Sequence, residues 1–131
     1  MFSKTATDSG ALGKRIRAQA ASIADSQIEF LTESNSELAI RGLGTIYFLP
    51  ATSRAARGIP SVSCVVLDEA AFLDGVDQIY TAVQPTMATL SANENVKDRG
   101  KLIMMSTPNG LGNFFANLWH LDDGDWNKFK I

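Results

Sequence analysis

One short run does most to limit what this chain can become. Val62-Ser63-Cys64-Val65-Val66-Leu67 is nearly all apolar, is rich in β-branched residues, and ends directly on Asp68-Glu69. It is too short for a buried helix and reads as a strand buried on both faces, as in a parallel sheet. A parallel neighbour needs a long crossover, usually a helix. The next segment supplies one. Val76, Ile79, Tyr80, Val83, Met87 and Leu90 recur at helical spacing, and Pro85 is expected to kink or restart that helix. Ser91 to Gly100 reads as a polar loop. Lys101 to Thr107, centred on Leu102-Ile103-Met104-Met105, reads as a second buried strand. Pro108-Asn109-Gly110 is turn chemistry, and Leu111 to His120 reads as a helix carrying Phe114, Phe115, Leu118 and Trp119. Strand, helix, strand, helix implies an α/β fold with a parallel sheet. In such folds ligands bind beyond the C-terminal ends of the strands.

The first half fits the same class. Phe2-Ser3-Lys4-Thr5 reads as the end of a strand. Residues 8–24 read as a helix with Asp8 or Ser9 as N-cap and Leu12, Ile16 and Ile23 on its apolar side. Lys14, Arg15 and Arg17 give it a basic side, read as a solvated face. Residues 26–33 fit either a strand or a helical turn. Leu38-Ala39-Ile40 and Thr45 to Pro50 read as a pair of strands turning near Gly42 and Gly44. Residues 51–61 read as a loop or a short helix closed by Gly58.

Composition narrows the class further. The chain has 131 residues, 45% hydrophobic and 20% charged, which suits one globular domain and excludes a disordered chain. The net charge of −2 does not mark a basic nucleic-acid binder, although residues 1–61 sum to +2 and residues 62–131 to −4. A single cysteine, Cys64, excludes an internal disulfide and suits a reducing cytosol. No apolar stretch approaches the ~20 residues that span a bilayer, and no signal peptide is visible.

Three segments carry chemistry. Val65 to Glu69 has the Walker B pattern, an apolar strand ending in two carboxylates. Asp68 stands where a nucleotide-bound Mg²⁺ needs an oxygen ligand, and Glu69 where an attacking water needs a base. The plainer alternative is that Asp-Glu ends a strand and caps the next helix. Ser106-Thr107-Pro108-Asn109-Gly110 ends the neighbouring strand and brings two hydroxyls suited to sensing a terminal phosphate or its water. Its plainer alternative is a strand-to-helix turn with Ser or Thr as N-cap. Arg57-Gly58 lies eleven residues before Asp68. Its guanidinium suits phosphoryl-group stabilisation, although a lone loop arginine is often simply solvated. Asp122, Asp123 and Asp125 read as a solvated linker, and His120, without metal-ligand spacing, as structural.

Taken together, Val65-Val66-Leu67-Asp68-Glu69-Ala70-Ala71-Phe72 followed by Leu102 to Gly110 resembles the large terminase subunit of tailed bacteriophages. Phe2 to Thr5 with its helix is similar to the segment after that family's P-loop helix. Leu49-Pro50 through Gly58 is similar to the segment before its Walker B strand. The resemblance runs to about Trp119. It implies an incomplete RecA-like P-loop NTPase core of the ASCE class over residues 1–120, with 121–131 a linker toward a nuclease domain. It implies Asp68 as the Mg²⁺-associated carboxylate and Glu69 as the glutamate that activates water. Ser106 and Thr107 would be the motif coupling ATP hydrolysis to motion, and Arg57 an arginine finger acting on a neighbouring subunit. It further implies ATP and Mg²⁺ as cofactors and a homo-oligomeric ring that drives double-stranded DNA into a procapsid. The portal and the small terminase subunit would be partners, in the cytoplasm of the bacterial host and without a membrane.

One departure stands out. No Gly-x-x-x-x-Gly-Lys-Ser/Thr occurs, and Gly10-Ala11-Leu12-Gly13-Lys14-Arg15 is not one. The phosphate-binding N–H cradle is therefore expected to precede residue 1, and this chain alone is expected to hydrolyse little or no ATP. Two rivals remain open at this point. One is a piece of a superfamily-2-like helicase ATPase. The other is a non-catalytic prophage remnant or interaction module whose missing strand leaves a sheet edge open.

Overall fold

A computed structural model describes residues 1–23, 28–59, 61–91, 100–122 and 126–130. It is a mixed α/β structure around a parallel sheet. In chain order the elements are β1 (Phe2–Ser3), α1 (Ala6–Ser22), β2 (Phe30–Glu33), β3 (Glu37–Ile40), β4 (Gly44–Tyr47) and β5 (Leu49–Pro50). They continue with α2 (Ser53–Arg57), β6 (Cys64–Asp68), a single 3₁₀ turn at Ala70–Phe72, α3 (Val76–Ser91), β7 (Lys101–Met105) and α4 (Phe114–His120).

The main sheet is parallel, with strand order β5-β1-β6-β7. A second sheet, β2-β3-β4, is antiparallel. The expected pair of strands therefore forms, with Gly42 at φ 76° and Gly44 at φ 105° making its turn. It does not run on to Pro50, however. Phe48 is almost fully buried and separates the two sheets, and Leu49 and Pro50 pair in parallel with Phe2 and Ser3 instead. The ambiguous stretch at 26–33 resolves as strand over Phe30–Glu33; residues 24–27 lie outside the described residues.

Helix α1 begins earlier than its sequence suggests. Thr5 is its N-cap, in place of Asp8 or Ser9: the Thr5 hydroxyl accepts from the Asp8 amide and donates to the Asp8 carboxylate. Its buried face is Ser9, Gly10 and Gly13, while Leu12 and Ile16 are half-buried and Ile23 is exposed. Gly13 must be small because the helix lies close on Phe48 there, where bulk does not fit. Arg17 is not merely solvated. It donates to the Ser34 carbonyl at 2.6 Å and lies 6.0 Å from the Phe48 ring centre. Of the two alternatives for 51–61, a short helix forms: α2 is closed at Gly58, as expected, and is capped by Thr52.

The core sits on one face of the main sheet. Phe2, Val65 and Leu67 meet Ala56 of α2 and Val76, Ile79 and Val83 of α3, all nearly or fully buried. Burial of each large side chain contributes roughly 1.5–3 kcal/mol. Helix α3 continues through Pro85 and does not restart there.

The opposite face is covered only in part. Helix α1 lies over β1 and β5. The register pairs Cys64 with Lys101, Val66 with Ile103 and Asp68 with Met105, so these side chains share the second face. Cys64, Lys101, Ile103 and Met105 are exposed there, at 47% for Ile103 and 44% for Met105. Neither β6 nor β7 is therefore buried on both faces, as their apolar runs suggested. β7 also ends the sheet, with no further strand beside it among the described residues.

Candidate functional site

Asp68 ends β6, Met105 ends the neighbouring β7, and the two are paired. Whatever follows them in sequence must meet at the C-terminal edge of the sheet. Glu69 and Ser106-Thr107 follow.

Glu69 takes φ 52° and ψ 45°. It is the one non-glycine with positive φ among the described residues. A side chain in the left-handed region costs on the order of 1–2 kcal/mol, so surrounding contacts must hold it. Three of those contacts come from Ser106 and Thr107. The Glu69 carboxylate Oε2 accepts from the Thr107 hydroxyl at 3.2 Å, from the Thr107 amide at 3.4 Å and from the Ser106 hydroxyl at 3.4 Å. Ser106 has one hydroxyl proton and a nearer acceptor, the Thr107 carbonyl at 2.8 Å, so Thr107 is the main anchor.

A second set of bonds fixes the turn after Glu69. The Ala71 amide donates to the Ser106 hydroxyl at 3.1 Å. The Asn109 carboxamide donates to the Ala71 carbonyl at 2.9 Å. Asn113 donates in turn to the Asn109 carbonyl at 2.8 Å, and its side-chain oxygen caps α4 at the Ala116 amide. The cap of α4 is thus Asn113, not Ser106 or Thr107. Sequence reasoning passed over Asn113 and saw Asn109 only as a turn residue. An Asn directly before the apolar Phe114-Phe115 is an N-cap signal that could have found the former.

Asp68 is half-buried and Glu69 exposed, and neither forms an ion pair among the described residues. The Asp68 carboxylate makes no hydrogen bond among them either, which leaves its oxygens available to a ligand. No group of three or more His, Cys, Asp or Glu side chains that could cage a metal occurs among the described residues. A Mg²⁺ that travels with phosphate needs only one or two protein carboxylates, and Asp68 at the end of β6 offers one at this edge.

Arg57 is not part of this cluster. It is exposed at the last turn of α2, which leaves the C-terminal edge at Thr52 and runs back from it; there Arg54 and Arg57 complement the helix C-terminus. The Arg57 guanidinium makes no hydrogen bond or ion pair among the described residues. Asp122 is exposed; Asp123 and Asp125 lie outside the described residues. His120 ends α4, exposed.

Of the two best-formed surface crevices among the described residues, neither is lined by the Glu69 cluster. One, of about 490 Å³, lies between Lys4, Thr52, Asp74 and Gln78, where α1 and α2 leave neighbouring strands toward opposite faces. Its lining is mostly exposed, Leu73 apart, whereas the hydrogen-bonded order sits at Glu69. The chemistry therefore points to the β6–β7 edge.

No protein-family model matches the sequence, and no curated protein matches it. Among the described residues, no helix is long and apolar enough to cross a membrane.

Proposed function

We propose that this chain carries the hydrolytic half of a P-loop ATPase of the terminase large-subunit kind, and that a phosphate-binding segment outside residues 1–131 completes it. One observation carries the reading. The ends of β6 and β7 bring Asp68, Glu69, Ser106 and Thr107 to one edge of the sheet, beside an exposed apolar half-face and the strand that ends the sheet among the described residues. A further strand along β7, followed by a helix over Ile103 and Met105, would bury that surface. It would also bring a phosphate cradle to the same edge.

Bound ATP with Mg²⁺ would supply the phosphoryl group and its leaving group. Asp68 would ligate the metal directly or through water. Glu69 would orient and deprotonate the attacking water. Thr107, bonded to Glu69, would hold that carboxylate in place. Arg57, exposed at the end of α2 and outside the hydrogen-bonded cluster, fits an action on a neighbouring subunit and not on its own site. Double-stranded DNA, a portal and a small subunit as partners, a ring assembly and the host cytoplasm belong to the same reading.

The test is to join a P-loop-bearing strand–loop–helix ahead of residue 1 and measure ATP turnover with and without intact duplex DNA. Turnover is expected. It should fall by roughly 100-fold or more in Glu69→Gln, the usual scale for losing a general base, while nucleotide binding is retained. Turnover by residues 1–131 alone that vanishes in Glu69→Gln would overturn the need for the added segment. Failure of the joined protein to bind ATP would overturn the reading as a whole. Duplex unwinding in place of translocation would favour the helicase class.

The position of β7 as last strand of the sheet among the described residues also favours a second reading, a non-catalytic module that associates through that edge. It predicts association with a strand-donating partner and no turnover in any combination.

A further inference from the structure

We propose that Asn109 is a positioning residue for Glu69, acting through the Ala71 peptide. Ala71 is bonded on both sides by side chains from the β7–α4 connection. Its amide donates to Ser106 at 3.1 Å, and its carbonyl accepts from Asn109 at 2.9 Å. These partners lie 35 and 38 residues away along the chain. The residue so gripped lies two positions after Glu69, within the 3₁₀ turn whose Phe72 amide closes onto the Glu69 carbonyl at 2.9 Å. Fixing Ala71 fixes that turn, and the turn holds Glu69 at φ 52°. Without the grip, Glu69 relaxes to negative φ and its carboxylate leaves Thr107.

The grip is itself anchored. Asn113 holds the Asn109 carbonyl at 2.8 Å while capping α4. Ala116 of α4 is buried, and Phe114 and Phe115 pack on the core. A line of bonds therefore runs from α4 through Asn113, Asn109 and Ala71 to Glu69. Displacement of α4 would change the aim of the Glu69 carboxylate without touching it. The catalytic meaning of this line rests on the ATPase reading above, but the line itself is measured without nucleotide.

The experiment uses the chain of residues 1–131, isotope-labelled for NMR. In the unaltered protein, Ala71 should show a protected amide, and Glu69 the one-bond Cα–Hα coupling of positive φ. An Ala71 amide that exchanges like an open loop, or a negative-φ coupling at Glu69, overturns the proposal with no variant needed. In Asn109→Asp, which keeps the shape but loses the donor, Ala71 exchange should rise about tenfold, the scale of one lost hydrogen bond. The Glu69 coupling should move toward negative φ, while Val65 and Val83 amides stay protected. Asn113→Asp keeps the cap of α4 but loses the donor to Asn109, and should shift Glu69 in the same direction by less. Unchanged Glu69 coupling in a folded Asn109→Asp protein overturns the proposal. If that variant fails to fold, the two measurements on the unaltered chain decide. A joined protein that shows this coupling but no turnover would sink the ATPase reading and leave the grip standing.

Discussion

The Thr107 hydroxyl donates to the Glu69 carboxylate at 3.2 Å, joining the residues that follow two neighbouring parallel strands. The bond spans 38 positions of sequence, and it holds a glutamate whose backbone sits at φ 52°. The site is thus both ordered and strained, and the strain can be measured.

Replacing Glu69 by glycine and by alanine separates backbone from side chain. Both lose the carboxylate, but only alanine keeps a Cβ in the left-handed region. Glu69→Gly should be more stable than Glu69→Ala by about 1 kcal/mol in urea denaturation. Equal stabilities would mean that Glu69 is unstrained in solution.

Two helical glycines should respond in opposite directions. Alanine in place of glycine inside a helix normally stabilises by ~1 kcal/mol. Gly10→Ala should follow that rule, since the nearest atom to an added Cβ is the Asn35 carbonyl oxygen at 3.9 Å. Gly13→Ala would place its Cβ 2.9 Å from the buried Phe48 ring. It should destabilise by roughly 1–3 kcal/mol through overpacking. Adding Phe48→Leu to Gly13→Ala should recover part of that loss.

The two faces of β6 and β7 should differ sharply. Leu67 is fully buried, and Leu67→Ala should cost about 2–5 kcal/mol. Ile103 is 47% exposed on the uncovered half-face, and Ile103→Lys should change stability by roughly 0.5 kcal/mol or less while reducing self-association. A loss at Ile103 as large as that at Leu67 would mean that the half-face is covered in solution. Thermal melts and light scattering read the two effects.

Capping at Asn113 joins the helix to the site. Asn113→Ala removes an N-cap and the donor to Asn109, and should cost about 1–2 kcal/mol. Thr52→Ala removes a cap from α2 alone and should cost about 1 kcal/mol without altering Ala71 exchange. Hydrogen exchange separates the two.

Local pattern was enough to reveal much of this molecule. The β-branched run before Asp68-Glu69, the helical spacing from Val76 and the apolar run before Ser106-Thr107 each set their own element. Together they put four polar residues at strand ends. Periodicity and propensity act over a few residues, so such elements are legible one at a time. The tertiary structure decided what is non-local. It moved Leu49-Pro50 from the hairpin to β1, because Phe48 is buried between the sheets and the backbone beyond it pairs with Phe2 and Ser3. It left half of one sheet face open, which an apolar run cannot announce, because hydrophobicity does not say whether a covering helix is present. It set Glu69 in a left-handed turn with no glycine to mark the place, because the bonds that hold it come from Ser106, Thr107 and Asn109. Only the register of β6 against β7 brings those residues within reach.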